Sequence, residues 1–305
     1  MPYYHAAGQS VGVLIGVLLG FTQVTITTPD VDEILASIIK YKASFFMGAP
    51  AIYEMLNNYE KTDRVDWKGL KIILAGADSL HEKTAKTWEE RTGKAITEGY
   101  GMTETTATTH MTPPGREEYG SIGVPLPSTL STILDPDQDA YLPTNEMGEI
   151  ATAGPQVTMG YWNREDATKE CTAMVDDVTW WRTGDLGKMD QKGYFYVYDR
   201  KRDLIKYKGL RVFAREVEEV LKGHPDIKEV GVIGEPDITV GENVKAVVVL
   251  ESDARGKTSE ADLREFCRDR LAHYKIPKII EFIGEIPKTD IGKVSRREIR
   301  EEGEN

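Results

Sequence analysis

The sequence has little cysteine, no long apolar run and no excess of positive charge. Its 305 residues include only two cysteines, Cys171 and Cys267, and no CxxC or Cys/His pattern surrounds them. A disulfide framework and a thiolate metal site are therefore excluded, and a reducing, cytoplasmic location is predicted. Because 38 Lys and Arg stand against 50 Asp and Glu, the net charge is −12, which disfavours nucleic acid or an anionic membrane as a general partner.

The most apolar stretch covers residues 11–24, and Gly12, Gly16 and Gly20 interrupt it. It is shorter than the roughly 18 to 20 residues that span a bilayer. No basic segment precedes it, so a signal peptide is not indicated either. We therefore predict no transmembrane segment and expect residues 11–24 to be buried core.

The length is typical of two domains, at roughly 100 to 200 residues each. Apolar spacing and turn residues in the first third predict alternating helices and strands, which indicate parallel βαβ units. The predicted helices cover residues 30–41, 51–59 and 82–91, and the predicted strands cover 44–47, 70–75 and 94–97.

The pattern of residue types then changes twice along the chain. Short β-like runs between about residues 120 and 198 indicate a β-rich part, and a smaller α+β domain is predicted for 199–305. In that domain the pattern predicts a helix at 216–222, strands at 229–233 and 244–251, and a helix at 259–274 with Cys267 facing a core. The predicted fold class is α/β, with a large domain at 1–198 and a small C-terminal α+β domain.

Glycine-bearing segments follow two of the predicted parallel strands: Gly76-Ala77 after the first, and Gly99-Tyr100-Gly101 with Thr103 and Glu104 after the second. Ligands of open parallel sheets bind outside the carboxyl ends of the strands. Glycine permits close backbone approach to a base or phosphate, and a carboxylate can ligate Mg²⁺. The pattern is typical of a nucleoside triphosphate site, although a simple tight turn would have similar glycines.

Three further features could carry chemistry. Asp185 follows an apolar run and could accept two hydrogen bonds from a ribose diol, or could be only a turn residue. Residues 200–215 carry seven basic side chains and one acid, which favours a polyanionic partner such as phosphates over a solvated hairpin turning at Lys208-Gly209. Lys293, on a glycine-containing loop, could deliver a positive charge to a site or be a surface lysine.

These segments together resemble the adenylate-forming, or acyl-activating, enzymes, which include the acyl-CoA synthetases. The resemblance is carried by seven collinear motifs: YGMTE at 100–104, GEI at 148–150, GYW at 160–162, WRTGD at 181–185, DRKRDLIKYKG at 199–209, EVEEVL at 216–221 and PKTDIGKVSRRE at 287–298. It implies that a carboxylate attacks the α-phosphorus of Mg·ATP to give an acyl-adenylate, and that a thiol, usually of coenzyme A, then displaces AMP.

The resemblance also implies roles for individual residues. Adenine would be held by Gly76, Ala77, Gly99, Tyr100 and the adjoining Gly101, and the ribose by Asp185 and Arg200. Phosphate would be bound by Thr103 and Mg²⁺ by Glu104, while Lys293 would stabilise charge during adenylation. The thioester step would use Lys206, Lys208 and Gly209, and the acyl pocket would include His5 and Gly76.

Two departures from the family pattern stand out. Arg202 occupies the hinge position, where the family usually has Asp or Lys. The family's Gly/Ser/Thr-rich phosphate-binding loop precedes the PYYH-type segment, whereas here nothing precedes Met1.

We therefore expect the C-terminal portion of an acyl-CoA synthetase for a carboxylic acid, and specifically for a fatty acid. Its activity alone would be impaired, and a separate chain could supply the missing segment. Two alternatives remain: an aryl- or amino-acid adenylating enzyme with a carrier-protein acceptor, and a non-catalytic nucleotide-binding subunit.

Overall fold

The computed structural model describes residues 1–28, 30–288 and 294–303. The chain divides into two compact units. Unit 1 comprises Met1–Thr183 and Gly187–Val197, and unit 2 comprises Gly184–Leu186 and Tyr198–Asn305. Lys293 lies outside the described residues. Within the described residues, no helix has the length and apolar character needed to cross a membrane.

The first sheet of unit 1 has five strands in sequential order: β1 (Phe45–Gly48), β2 (Ile72–Ala75), β3 (Thr97–Tyr100), β4 (His110–Met111) and β5 (Val124–Pro125). Strands β1, β2 and β3 are parallel, and β4 and β5 are antiparallel. The predicted parallel βαβ units are therefore confirmed, with an antiparallel extension on one side.

Helices precede and connect the parallel strands of this sheet. A π-helical segment, Gly8–Leu14, leads into α1 (Ile15–Leu18), and α2 (Val31–Tyr41) follows before β1. The crossovers carry α3 (Pro50–Asn57), between β1 and β2, and α4 (Glu82–Thr92), between β2 and β3. Asp30 is the N-cap of α2, because its carboxylate accepts a hydrogen bond from the backbone N–H of Glu33 at 2.8 Å. The core between helices and sheet is rich in aromatic rings, and the Trp67 and Trp88 centroids lie only 4.6 Å apart.

Strand β3 differs from its prediction. We expected residues 94–97, but the strand is Thr97–Tyr100, with Thr97 paired to Leu74 of β2. Tyr100 is paired to His110 of β4, so the antiparallel neighbour extends the hydrogen-bonded ladder beyond the expected end. Part of the glycine-bearing segment expected to be a loop is therefore strand.

The expectation that residues 11–24 form buried core is wrong. Val17 is 73% exposed and Leu18 82% exposed, while Gly8 and Gly16 are the buried positions of this helical segment. An apolar run is buried only where another element covers it, and within the described chain nothing covers the outer side of this one. The result is an exposed apolar surface at the start of unit 1.

The predicted β-rich part is a five-stranded sheet. Its strands are β6 (Leu130–Leu134), β7 (Gly148–Ala153), β8 (Thr172–Val175), β9 (Val178–Met189) and β10 (Phe195–Arg200), in the order β10-β9-β7-β6 with β8 paired to β9. One short helix, α5 (Glu165–Glu170), precedes β8. Buried Arg182 of β9 donates to the buried Glu149 carboxylate at 2.6 Å, so two of the motif segments are joined inside unit 1.

Unit 2 is built on a third five-stranded sheet, in the order β12-β11-β14-β13 with β15 paired to β14. Its elements are β11 (Leu204–Tyr207), β12 (Leu210–Phe213), α6 (Ala214–Lys222), β13 (Ile227–Asp237), β14 (Gly241–Leu250), α7 (Glu260–Arg268), β15 (Ile279–Phe282) and α8 (Arg296–Gly303). Lys208 and Gly209 form the two-residue turn of the β11–β12 hairpin with φ of 49° and 77°, as a type I′ turn requires.

Helix α7 is shorter than predicted. It starts at Glu260 behind a capping box formed by Ser259 and Asp262, but it ends at Arg268 rather than near residue 274. The remaining apolar positions of the predicted helix are carried by a turn and the short 3₁₀ segment His273–Lys275. Cys267 is fully buried in the unit 2 core, which confirms its predicted packing role.

Arg296 at the start of α8 forms a largely buried ionic cluster in unit 2. Its guanidinium contacts Asp199 at 2.9 Å, Asp203 at 3.1 Å and Glu218 at 2.8 Å. Arg300, one turn further along α8, contacts Asp203 at 2.9 Å. The cluster thus joins the first residues of unit 2 to α6 and to its last helix.

Replacing Arg296 with Ala should destabilise unit 2 by about 3–5 kcal/mol, because three buried carboxylates lose a shared cation. Hydrogen exchange of β13 and β14 would measure the loss. The tryptophans, at 67, 88, 162, 180 and 181, all lie in unit 1, so Trp fluorescence should report little change there. Arg297→Ala, which removes an exposed pair with Glu301, should cost at most about 0.5 kcal/mol; equal effects of the two variants would contradict this assignment.

Candidate active site

A depression in unit 1 lies beside the carboxyl ends of β1, β2 and β3. It is shallow: it encloses about 20 Å³, and the space of about 320 Å³ over its lining includes open solvent. Its lining carries no charged side chain and consists of Met1, Ala7, Val11, Met47, Leu74, Ala75, Gly76, Ala77, Gly99, Ala107 and Thr108. Such a surface suits an uncharged, apolar or planar group rather than phosphates.

Several backbone positions at this edge are sterically constrained. Ala77, Thr106 and Ala107 have φ of 70°, 52° and 80°, in the left-handed region that non-glycine residues seldom adopt. A Cβ added to Gly101 would meet the Ala107 carbonyl oxygen at 2.1 Å, so only glycine fits there. Strained backbone of this kind is concentrated at functional sites.

The edge of the depression includes several of the residues predicted to bind adenine. Gly76 and Gly99 approach each other closely, since a Cβ on Gly76 would lie 3.0 Å from the Gly99 carbonyl oxygen. Tyr100 ends β3 and contacts His110 edge-on, with centroids 5.6 Å apart. The structure therefore brings together Gly76, Ala77, Gly99, Tyr100 and Gly101 at one sheet edge.

His110, which the sequence analysis did not identify, is fully buried behind Tyr100. Its Nδ1 lies 2.9 Å from the Thr109 hydroxyl, and its ring contacts Phe195 with centroids 4.7 Å apart. Burial lowers the pKa of His110 from 6.5 to about 3, because the imidazolium would lose its hydration. The ring is therefore neutral at physiological pH.

Thr103 and Glu104 lie on the short 3₁₀ turn Thr103–Thr105, immediately after β3. The Glu104 carboxylate accepts a hydrogen bond from the Tyr161 hydroxyl at 2.6 Å. Burial and the negative charge of Glu104 raise the pKa of Tyr161, so this hydroxyl stays protonated and donates.

The donor set around Glu104 fits the Mg²⁺ of a nucleotide better than a metal held by protein alone. No group of three or more His, Cys, Asp or Glu side chains that could hold a metal ion occurs in the described parts of the chain. Mg²⁺ typically binds one or two carboxylates and takes its other ligands from phosphates and water. Glu104, with acceptor capacity beyond its bond to Tyr161, meets that requirement.

The predicted ribose ligands are adjacent to each other in unit 2. Asp185 lies within β9, after Gly184 with φ of 72°, and is only 4% exposed. Its Oδ1 is 2.8 Å from the Arg200 Nε. Asp185 is therefore a strand residue that forms an ion pair, rather than a residue of a surface turn.

The basic segment at 200–215 is partly neutralised within unit 2. Arg200 pairs with Asp185 at 2.8 Å and Arg215 pairs with Glu219 at 3.0 Å, while Lys206 contributes its backbone N–H, which donates to Glu242 at 2.7 Å. Lys208 projects from the hairpin turn with its Nζ 5.7 Å from the Tyr207 ring centroid. Exposed Arg202, the predicted hinge, lies on the 3₁₀ segment Lys201–Asp203.

His5 stands apart from these groups. His5 is exposed, its Nδ1 accepts a hydrogen bond from the Ala7 backbone N–H at 3.2 Å, and it is not among the described residues that line the depression. Its neighbours Met1, Ala7 and Val11 do line it. Lys293 lies outside the described residues, although Lys288 and Val294 on either side of its segment form an antiparallel bridge.

Comparison with known proteins identifies the class. The model of the AMP-binding enzyme family matches residues 1–162, and the model of the AMP-binding enzyme C-terminal domain matches residues 216–293. The chain therefore belongs to the AMP-binding enzyme family, the family of AMP-forming acid–thiol ligases, and the resemblance inferred from its motifs is confirmed.

Individual relatives agree with that membership. A long-chain-fatty-acid–CoA ligase of Bacillus subtilis is 40% identical over 303 residues, 99% of this chain and 53% of the relative. ATP-bound MatB from Rhodopseudomonas palustris is 30% identical with a TM-score of 0.86, over 100% of this chain and 59% of that one. The o-succinylbenzoate CoA synthetase MenE of B. subtilis, in complex with ATP and magnesium ion, is 31% identical with a TM-score of 0.82, over 98% and 60%.

The chain spans about half the length of the curated relatives that it matches. The fold class is therefore confirmed as mixed α/β, with a partial large domain and the family's C-terminal domain.

Because His110 is neutral in the fold, unit 1 should lose stability on acidification. Above about pH 6.5 His110 is neutral in both the folded and unfolded chain. Below that pH His110 is protonated in the unfolded chain, whereas in the folded chain it is protonated only near pH 3. The free energy of unfolding therefore falls as the pH drops, by up to about 1.4 kcal/mol per pH unit. Urea unfolding followed by Trp fluorescence from pH 7 to 5.5 should show this slope, and His110→Gln should flatten it; identical slopes would contradict the prediction.

Proposed function

We propose that this chain carries the nucleotide- and acyl-binding parts of an ATP-dependent acid–thiol ligase that activates a carboxylic acid as its acyl-adenylate and transfers it to coenzyme A. The observation that carries the proposal is the apolar depression at the carboxyl ends of β1, β2 and β3, with Glu104 on the turn that follows β3. Family membership supports the same reaction.

For the nucleotide, we assign adenine to the sheet edge formed by Gly76, Ala77, Gly99, Tyr100 and Gly101. The constrained backbone there suits a planar base, because few side chains project from it. Thr103 would bind phosphate and Glu104 would ligate Mg²⁺, which when bound neutralises phosphate charge.

Asp185 and Arg200 are proposed to bind the ribose hydroxyls. Their ion pair holds the Asp185 carboxylate in place, and a carboxylate accepts hydroxyl hydrogen bonds more strongly than a neutral group. The orientation of this acceptor would therefore be fixed before the nucleotide arrives.

Replacing Asp185 with Ala should weaken ATP binding by about two decades, since each lost hydrogen bond to a charged group is worth about 1.5–3 kcal/mol. Calorimetric titration with ATP measures this. Asp177→Ala, at an exposed turn of unit 1, should leave the affinity unchanged. An unaltered dissociation constant in a folded Asp185→Ala chain would rule out the ribose assignment.

The remaining assignments concern the two half-reactions. Lys293 would stabilise the charge that develops between the attacking carboxylate and the α-phosphate, while Lys206 and the Lys208-Gly209 turn would face the thiol acceptor. Arg202 is proposed as the hinge between these half-reactions. An exposed basic hairpin fits a phosphate-bearing acceptor such as coenzyme A.

A fatty acid is the proposed acyl substrate. The depression offers Met1, Val11, Met47 and Leu74 and no charged side chain, so an amino-acid substrate would find no partner there for its ammonium group. The 40% identity to a long-chain-fatty-acid–CoA ligase supports the same choice.

Cys171 and Cys267 are both free thiols, in keeping with the proposed cytosolic location.

The exposed apolar surface of residues 11–24 is proposed to be covered by polypeptide equivalent to the part of the relatives that this chain does not match. Val17, Leu18 and Phe21 are each more than half exposed. Apolar patches of this kind mark interaction sites. The family's phosphate-binding loop is proposed to lie in the same polypeptide.

The proposed function predicts AMP and acyl-CoA formation from ATP, CoA and long-chain fatty acids, faster than with aryl or amino acids. Turnover should be feeble for the 305-residue chain alone and should rise when the unmatched N-terminal part of the B. subtilis relative is co-expressed. Lys293→Ala should slow adenylation about 10²- to 10³-fold, a cost of about 3–4 kcal/mol in barrier, while thioester formation from supplied acyl-adenylate survives. Adenylation that requires a carrier protein, or no AMP formation in the complemented complex, would contradict the proposal.

A further inference from the structure

Tyr161 has no role in the assignments above, yet it lies where three motif segments meet in unit 1. Its hydroxyl donates to Glu104 Oε1 at 2.6 Å. Its ring packs edge-on against buried Trp181, with centroids 5.6 Å apart. Its backbone N–H donates to the Thr168 hydroxyl at 2.9 Å. The side chain is thus held at its backbone and along its ring while its polar tip contacts the carboxylate.

The turn that carries Glu104 is attached to the same region by its backbone. The Thr158 N–H donates to the Glu104 carbonyl oxygen at 2.7 Å, and the Thr106 hydroxyl donates to the Gln156 carbonyl oxygen at 2.9 Å. These two bonds fix where the Glu104 backbone lies, but they leave the side-chain torsions of Glu104 free. The hydrogen bond from Tyr161 is what restricts the carboxylate itself.

We propose that Tyr161 is a positioning residue that holds the Glu104 carboxylate in the orientation in which it ligates the Mg²⁺ of the bound nucleotide. The inference rests on the proposed function, which makes Glu104 the metal ligand. A glutamate side chain loses rotamer freedom when it is fixed, and a ligand already fixed by a neighbour does not lose this freedom again on metal binding. Outer hydrogen bonds to metal-ligating carboxylates act in this way.

The hydroxyl, rather than the ring, carries the inference. A phenylalanine at position 161 would keep the ring contact with Trp181 and lose the hydroxyl, which donates to Glu104 and interacts with the nearby Cys171 thiol. Short O–H···O⁻ bonds of 2.5–2.7 Å are the strong, charge-assisted kind. If Tyr161 had a purely structural role, Tyr161→Phe would leave metal binding unchanged. If Tyr161 positions the Glu104 carboxylate, the same substitution would weaken metal binding.

The test is Mn²⁺ binding to the full chain in the presence of a non-hydrolysable ATP analogue, followed by the electron paramagnetic resonance signal of free Mn²⁺. Tyr161→Phe should weaken Mn²⁺ affinity about 10-fold or more. Glu104→Gln should weaken it at least as much. Affinity for the analogue without metal should be the same in all chains, and the Tyr161→Phe chain should unfold at a urea concentration close to that of the wild type.

Tyr194→Phe is the matched control, because the Tyr194 hydroxyl also donates one hydrogen bond in unit 1, to the Arg116 carbonyl oxygen at 2.9 Å. Its Mn²⁺ affinity should equal that of the wild type. If Glu104→Gln weakens Mn²⁺ binding and Tyr161→Phe matches Tyr194→Phe, the positioning role is wrong and the proposed function stands. If Glu104→Gln has no effect, or the wild-type chain shows no nucleotide-dependent Mn²⁺ binding, the Glu104 assignment and this inference both fail.

Discussion

The parallel pairing of β1, β2 and β3 is the constraint on which the candidate site depends. Parallel strands end at the same edge of a sheet, so segments far apart in sequence are brought side by side there. Met47 of β1 is paired with Leu74 of β2, and Leu74 is paired with Thr97 of β3, two residues before Gly99. The apolar depression and the turn with Glu104 follow from that alignment.

In unit 1 the backbone is strained at the edge of the candidate site and closely packed in the aromatic core behind it. Left-handed residues such as Ala77 and Ala107 each cost about 1–3 kcal/mol, which the rest of the fold must offset. The aromatic core supplies rigid packing directly behind them: the Tyr53 hydroxyl donates to the Leu74 carbonyl oxygen at 2.7 Å, and its ring contacts Trp88. The motif pair Arg182 and Glu149 likewise serves packing inside the β-rich sheet rather than chemistry.

Local signals predicted the elements whose residues decide their own conformation. The helix at 30–41 and the Lys208-Gly209 turn were predictable because capping and left-handed φ are properties of a few adjacent residues. Three features could not be predicted in this way. The extent of β3 depends on the distant strand at His110, and the hydrogen bond from Tyr161 depends on the turn at Glu104. The exposure of residues 11–24 depends on whether another element packs on them, and none of the described elements covers their outer side. The motif GYW was visible, but no spacing rule shows which carboxylate its tyrosine meets.

The burial of Cys267 has a practical consequence for chemical labelling. Its side chain is inaccessible and burial raises its thiol pKa to about 11, so it carries almost no thiolate at neutral pH. Burial also raises the pKa of the Cys171 thiol, but this side chain retains some exposure and lies close to the Tyr161 hydroxyl. A slow maleimide reagent would therefore modify the folded chain at one position, and a fluorophore attached there would lie next to the Glu104 turn without any engineered cysteine.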